Sequence, residues 1–165
     1  MIVLGIDPGS SVTGYGILQS DSRDERRCIT FGCIRSRSKE PFYLRLKKIY
    51  DEIGQLIEGH RPGWVALEDI FYSRNIKSVL QLGQARGAAI LAAVNAQCSI
   101  SLYSPREVKQ ALTGYGAASK EQVQSMVFRL LQLSNGAAPL DASDALAIAI
   151  CHINRFWTQQ NLNDT

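Results

Sequence analysis

Gly5-Ile6-Asp7-Pro8-Gly9-Ser10 follows the apolar run Met1 to Leu4, and how this stretch is read decides the fold. A short apolar run stopped by Pro and Gly is the pattern of a buried strand entering a turn. Asp7 therefore stands where a core strand runs out, at the rim of a sheet. A carboxylate there is costly to bury unless a cation, a hydrogen-bond network or a proton compensates it. Asp beside Pro and Gly also commonly caps a turn through its own side chain. The stretch by itself leaves both roles open.

Around it lie 165 residues, enough for one well-buried core and too few for two ordinary domains. The chain is 45% hydrophobic and 20% charged, the balance of a soluble globular protein. A formal charge of +3 permits a nucleic-acid partner without demanding one. No apolar run approaches the ~20 residues of a membrane span. No basic segment or cleavage-type region precedes the first strand, so a cytoplasmic location is expected. Cys28, Cys33, Cys98 and Cys151 lack Cys-x-x-Cys spacing, which points to reduced thiols rather than zinc or disulfides. On one regular strand Cys28 and Cys33 would face opposite sides.

The pattern predicts strands over Met1–Ile6, Thr13–Gln19 and Arg27–Arg37, joined by short turns and hence antiparallel. Phe42, Leu46, Ile49, Ile53, Leu56 and Ile57 then follow helical spacing, ending near Gly59. Trp64 to Glu68 reads as a second core strand. A long helix follows from about Asn75 to Ala96, apolar nearly all round in its second half and so expected to be buried. Gly83 and Gly87 share one of its faces and would allow close approach of another helix. Ser99–Ser104 is a further strand, and Pro105 opens a short helix to Leu112. Ser119 with Gln122 forms a capping box for a helix to about Leu133. A last helix spans about Asp141 to Trp157. The expected architecture is one α/β domain over residues 1–157, with a mixed five-stranded sheet, helices on both faces and a frayed polar tail over 158–165.

Acids recur at the edges of this core. Asp7 ends one strand, Glu68 and Asp69 end another, and Asp141 and Asp144 open the last helix. Strand parity does not say whether Glu68 or Asp69 points inward. Asp141 and Asp144 lie on one helix face, where acids also serve as a cap and as partners of the helix dipole. Strand ends and a helix start meeting at one rim would gather four carboxylates, which repel one another unless divalent cations neutralise them. Hard oxygen donors without His or Cys suit Mg²⁺ or Mn²⁺ rather than zinc. Two such ions are the clamp used for displacement at phosphodiesters.

Taken in order, Asp7-Pro8-Gly9-Ser10, Thr13-Gly14-Tyr15-Gly16, Glu68 with Phe71 and Asn75, Leu82-Gly83-Gln84-Ala85-Arg86-Gly87 and Asp141-Ala142-Ser143-Asp144-Ala145-Leu146-Ala147 resemble the RuvC family of Holliday-junction resolvases. The resemblance runs from Met1 to about Ile153. It implies an RNase H-like fold, a homodimer, and Mg²⁺-dependent symmetric nicking of four-way DNA junctions with two ions per site. It also implies the RuvA–RuvB branch-migration complex as a partner. Asp7, Glu68, Asp141 and Asp144 match the family's catalytic, metal-holding acids, which favours Glu68 over Asp69. Many members carry Gln where this chain has Asp69, an extra negative charge beside the metals. Lys109 and Lys120 match positions that contact phosphate, Lys120 also stabilising charge during cutting. Phe71 matches a residue that stacks at the junction centre, with Arg74, Lys77 and Arg106 adding to the DNA surface. Arg86 either pairs internally or faces DNA.

Three other readings stand beside this one. Gly-Ile-Asp-x-Gly-Ser also resembles the first phosphate loop of actin-like ATPases and sugar kinases, which need a second domain and a second phosphate loop. A junction-binding module without catalysis would have lost an acid, and none is lost here. An RNA-cutting nuclease of the same fold is the third.

Overall fold

A computed structural model of the chain describes residues 1–37, 39–69, 75–134 and 136–163. The opening stretch forms β1 (Ile2–Asp7), which ends at Asp7 as its Pro-Gly stop predicts. β1 pairs antiparallel with β2 (Val12–Ser20), and β2 pairs antiparallel with β3 (Arg26–Arg35). On its other side β1 pairs parallel with β4 (Trp64–Glu68), which pairs parallel with β5 (Ser99–Tyr103). The five strands lie in the order β3-β2-β1-β4-β5, the expected mixed sheet. Parallel pairing needs helical crossovers, supplied by α1 (Phe42–His60) before β4 and α2 (Ile76–Asn95) before β5. Three helices follow, α3 (Pro105–Thr113), α4 (Lys120–Leu130) and α5 (Leu140–Asn163). Capping boxes start α3 at Ser104 with Glu107 and α4 at Ser119 with Gln122.

The strands bury both faces. Leu4, Ile6, Ile17, Ile34, Val65 and Leu67 pack under α1 and α2. Val3, Leu18, Ala66 and Tyr103 pack on the other side with α3, α4 and α5. Glycine lets α5 lie directly on the sheet. A Cβ on Gly5 would fall inside the van der Waals envelope of the Ala145 carbonyl oxygen, and one on Gly14 inside that of Asp141. The N-terminal turn of α5 is thereby seated over the ends of β1 and β2.

Three expectations are corrected. The last helix continues to Asn163 instead of fraying after Trp157. No Gly or Pro stops it there. Trp157 Nε1 donates to Ser20 Oγ at 3.0 Å, and Thr158 Oγ1 to Asn154 O at 2.7 Å. Cys28 and Cys33 face the same side, because a register shift between Ile17 and Leu18 inserts a residue into β3 and inverts its parity. Finally, α2 is buried on its alanine face alone, through Ala85, Ala89, Ala92 and Ala93. Leu91 and Val94 stay 53% and 54% exposed, in line with Ile76 and Leu80 and with exposed Gly83 and Gly87.

Candidate active site

The division of the core between two faces settles where the acids point. Val3 and Gly5 face α5, so Asp7, two residues further on, does so too. Ala66 likewise faces α5, and Glu68 follows it. Val65 and Leu67 face α1 and α2, which sends Asp69 the other way. There Asp69 Oδ1 accepts from Arg86 Nη2 of α2 at 2.9 Å, and its backbone N–H donates to Tyr103 O at 2.7 Å. The extra acid is thus turned away from its neighbour and paired. Arg86, open between two roles in the sequence, pairs internally.

Asp7, Glu68, Asp144, Lys109 and Lys120 line one cleft of about 290 Å³ at the rim of the sheet. Asp141 stands one helical turn before Asp144, close enough for its charge to act on Asp7. Lys120 opens α4 with its side chain 79% exposed, and its Nζ lies 3.7 Å from Asp144 Oδ2. Lys77 is exposed in the first turn of α2. Arg106 is exposed in the first turn of α3, lying over the Gly116 backbone, where a Cβ would stand 2.8 Å from its Cγ. Phe71 and Arg74, together with Tyr72, lie outside the described residues. A larger, more open groove of about 640 Å³ follows α1. Its Lys47–Asp51 and Lys48–Glu52 pairs neutralise one another and leave little to act on a ligand.

Carboxylates crowded into one rim raise one another's proton affinity, and the lysines beside them work against it. The Asp7 carboxyl is pushed up to about 7, by burial first and then by Asp144, Glu68 and Asp141, with Lys120 offsetting part of it. Burial and Asp144 raise Glu68 against the pull of Lys120 and Lys109. Burial raises Asp144, which Lys120 counters. Among the described residues no three His, Cys, Asp or Glu side chains stand close enough to cage an ion as they are. The donor chemistry fits a hard divalent cation, since the groups are carboxylates whose proton affinity is raised by burial and then by one another's charge.

Sequence reasoning missed the glycines that set this geometry. Gly14 seats the Asp141 backbone and Gly5 seats Ala145, and each faces α5. A signal existed: Gly14 and Gly16 share one strand face, and a glycine-lined face marks close backbone approach.

The cluster has counterparts in known proteins. The family model described as "Crossover junction endodeoxyribonuclease RuvC" matches residues 3–152. A protein of that name from Geobacter sulfurreducens is 51% identical over 154 residues, 93% of each chain. One from Shewanella woodyi is 48% identical over 162 residues, 98% of this chain and 90% of that one. The structure of Thermus thermophilus RuvC in complex with a Holliday junction substrate superposes with a TM-score of 0.91 at 33% identity, covering 96% of both chains. A yeast mitochondrial Holliday junction resolvase shares the fold at a TM-score of 0.64 and 13% identity, covering 96% of this chain and 85% of that one. The sheet order and flanking helices are those of an RNase H-like fold. Nucleases of this family depend on a metal ion. An acid-lined rim on this fold, with sequence agreement along nearly the whole length, leaves one conclusion: the chain belongs to the RuvC family of crossover junction endodeoxyribonucleases.

Proposed function

We propose that this protein resolves four-way (Holliday) DNA junctions in recombination and repair, nicking two strands of like polarity symmetrically and leaving 5′-phosphate and 3′-hydroxyl ends. The observation that carries the reading is the meeting of Asp7, Glu68 and Asp144 in one cleft with Lys109 and Lys120, Asp141 beside them. Asp7, Glu68, Asp141 and Asp144 would hold Mg²⁺, two ions per site, with Mn²⁺ able to replace it. When bound, the ions supply Lewis-acid polarisation of the phosphate and an activated water.

The chain's own groups do the rest. The acids' negative charge repels the DNA polyanion except where bound cations would offset it, which would confine the scissile phosphate to that place. Lys120, exposed at the mouth, stabilises the charge that builds on the phosphate. Lys109 holds a neighbouring phosphate, and Lys77, Arg74 and Arg106 hold others along the strand. Phe71 stacks at the junction centre. Symmetric cutting calls for two such sites related by a twofold axis. The exposed apolar face of α2, with Ile76, Leu80, Leu91 and Val94 around Gly83 and Gly87, fits a second copy of this chain. The RuvA–RuvB branch-migration complex, in the cytoplasm, is the expected partner at the junction.

The test uses an immobile four-way junction labelled on each strand in turn, with a linear duplex and an Asp7→Asn variant beside it. Paired nicks in opposite strands, absent from duplex and variant and abolished by EDTA, are expected. Junction binding without cutting in Mg²⁺ or Mn²⁺ would reduce the protein to a binding module.

A further inference from the structure

The lysines flank the acids on one side only, the side of β5, α3 and α4. On the other side the sheet continues through β2 to β3, and the register carries the rim with it. Asp7 pairs with Gly14, and Gly14 with Cys33. Phe31 and Cys33 face α5, so Arg35, two residues on, shares the face of Asp7 and Glu68 and projects beyond the rim. Two strand spacings and two residues of rise place its Cα roughly 12 Å from that of Asp7. One side chain senses both groups: burial pushes the Cys33 thiol up, Arg35 pulls it down, and Asp141 and Asp7 push it up again.

The strand end that presents Arg35 is anchored. Lys48 Nζ donates to Arg35 O at 2.7 Å from α1, and Ser36 N–H donates to Ser11 O at 3.0 Å. Arg37 follows, its N–H donating to Glu40 Oε2 at 3.3 Å. Arg35 and Arg37 are both exposed, and neither enters an ion pair among the described residues. Two exposed arginines with no ion-pair partner among the described residues, one of them on an anchored strand end, keep their guanidinium groups available. They are well placed for phosphate.

We infer that Arg35 and Arg37 form a second phosphate clamp, gripping one duplex arm of the junction on the side of the acid cluster opposite Lys109 and Lys120. Followed along the helical path of one strand, the roughly 12 Å offset sets the clamp about two phosphates from the scissile one. The strand being cut is then held on both sides of the acids. The inference rests on those acids being the cutting site.

The test is the salt dependence of junction affinity in EDTA, so that no cutting intrudes, for the parent, Arg35→Ala/Arg37→Ala and Lys47→Ala. Each phosphate that a variant no longer neutralises lowers the slope of log affinity against log salt by about 0.9, so the double variant falls by about 1.8. Lys47, paired with Asp51, serves as the control, and its removal leaves the slope in place. A double variant with the parent's slope, or a Lys47→Ala fall of equal size, overturns the clamp. Asp7→Asn is assayed for cutting in Mg²⁺ alongside. If it cuts, the acid assignment fails, whereas an unchanged slope with an inactive Asp7→Asn defeats the clamp alone.

Discussion

Replacing Asp7 with Asn should make the metal-free protein more stable while ending its activity, and the size of the gain follows from the site. In the fold Asp7 holds its proton up to about 7, against 3.8 for the same group in an unfolded chain. The unfolded state therefore ionises first as pH rises. Between those two values stability falls with increasing pH, and above about pH 7 the loss is complete. The interval corresponds to about 4 kcal/mol at about pH 8 and to about 2 kcal/mol at about pH 5. Asn resembles the neutral acid in shape and carries no charge at either pH, so Asp7→Asn recovers most of that cost.

Thermal unfolding in EDTA reads the difference directly. At roughly 2–4 °C per kcal/mol for a chain of this size, the melting temperature of Asp7→Asn should exceed wild type by about 8–16 °C at pH 8 and by about half as much at pH 5. Adding Mg²⁺ should reverse the ranking, because the cation stabilises the state whose carboxylates it neutralises. A variant less stable than wild type at pH 8 in EDTA would refute the reasoning. So would a gain of equal size at both pH values, since that would mean Asp7 carries as many protons in the fold as in the unfolded chain across that range.

Three further outcomes follow from the same geometry. Gly14→Ala drives a methyl group into the Asp141 carbonyl, so about 3 kcal/mol of stability should be lost in urea denaturation, and nicking with it as α5 lifts from the acids. Lys120→Ala should lower the single-turnover nicking rate about 10²-fold with a much smaller loss of junction affinity, measured on saturating protein. The Asp69–Arg86 pair, half-exposed on the acid side, should show a coupling of about 1 kcal/mol in a denaturation double-mutant cycle of Asp69→Asn and Arg86→Gln.

What the sequence discloses here is whatever local periodicity governs. The strand ending at Asp7, the helical spacing of α1 and the capping boxes at Ser104 and Ser119 are set by residues within a few positions of one another. What it withholds depends on a second element. The parity of β3 is inverted by one inserted residue opposite Ile17 and Leu18, which no pattern within β3 announces. The length of apolar sequence in α2 predicts burial, but among the described residues the helix packed against it is chiefly α1, which covers its alanine face. Leu91 and Val94 stay at the surface although they are as apolar as the residues beneath them.

The pair Glu68-Asp69 shows where local reasoning ends and packing takes over. Two adjacent acids at a strand end are equivalent by chemistry and opposite by parity, so the strand cannot choose between them. The choice is made beneath them. Val65 and Leu67 fill the layer against the alanine face of α2, which commits every second residue to that side, and Arg86 waits there next to Ala85. Ala66 and Gly5 commit the other register to α5, whose first turn carries Asp141 and Asp144. Moving Arg86 alone would not convert Asp69 into the acid of the cleft, because the whole strand would have to slip by one residue and turn its core outward. The acid that joins the cluster is fixed by the burial of Val65 and Leu67, residues that never touch a substrate.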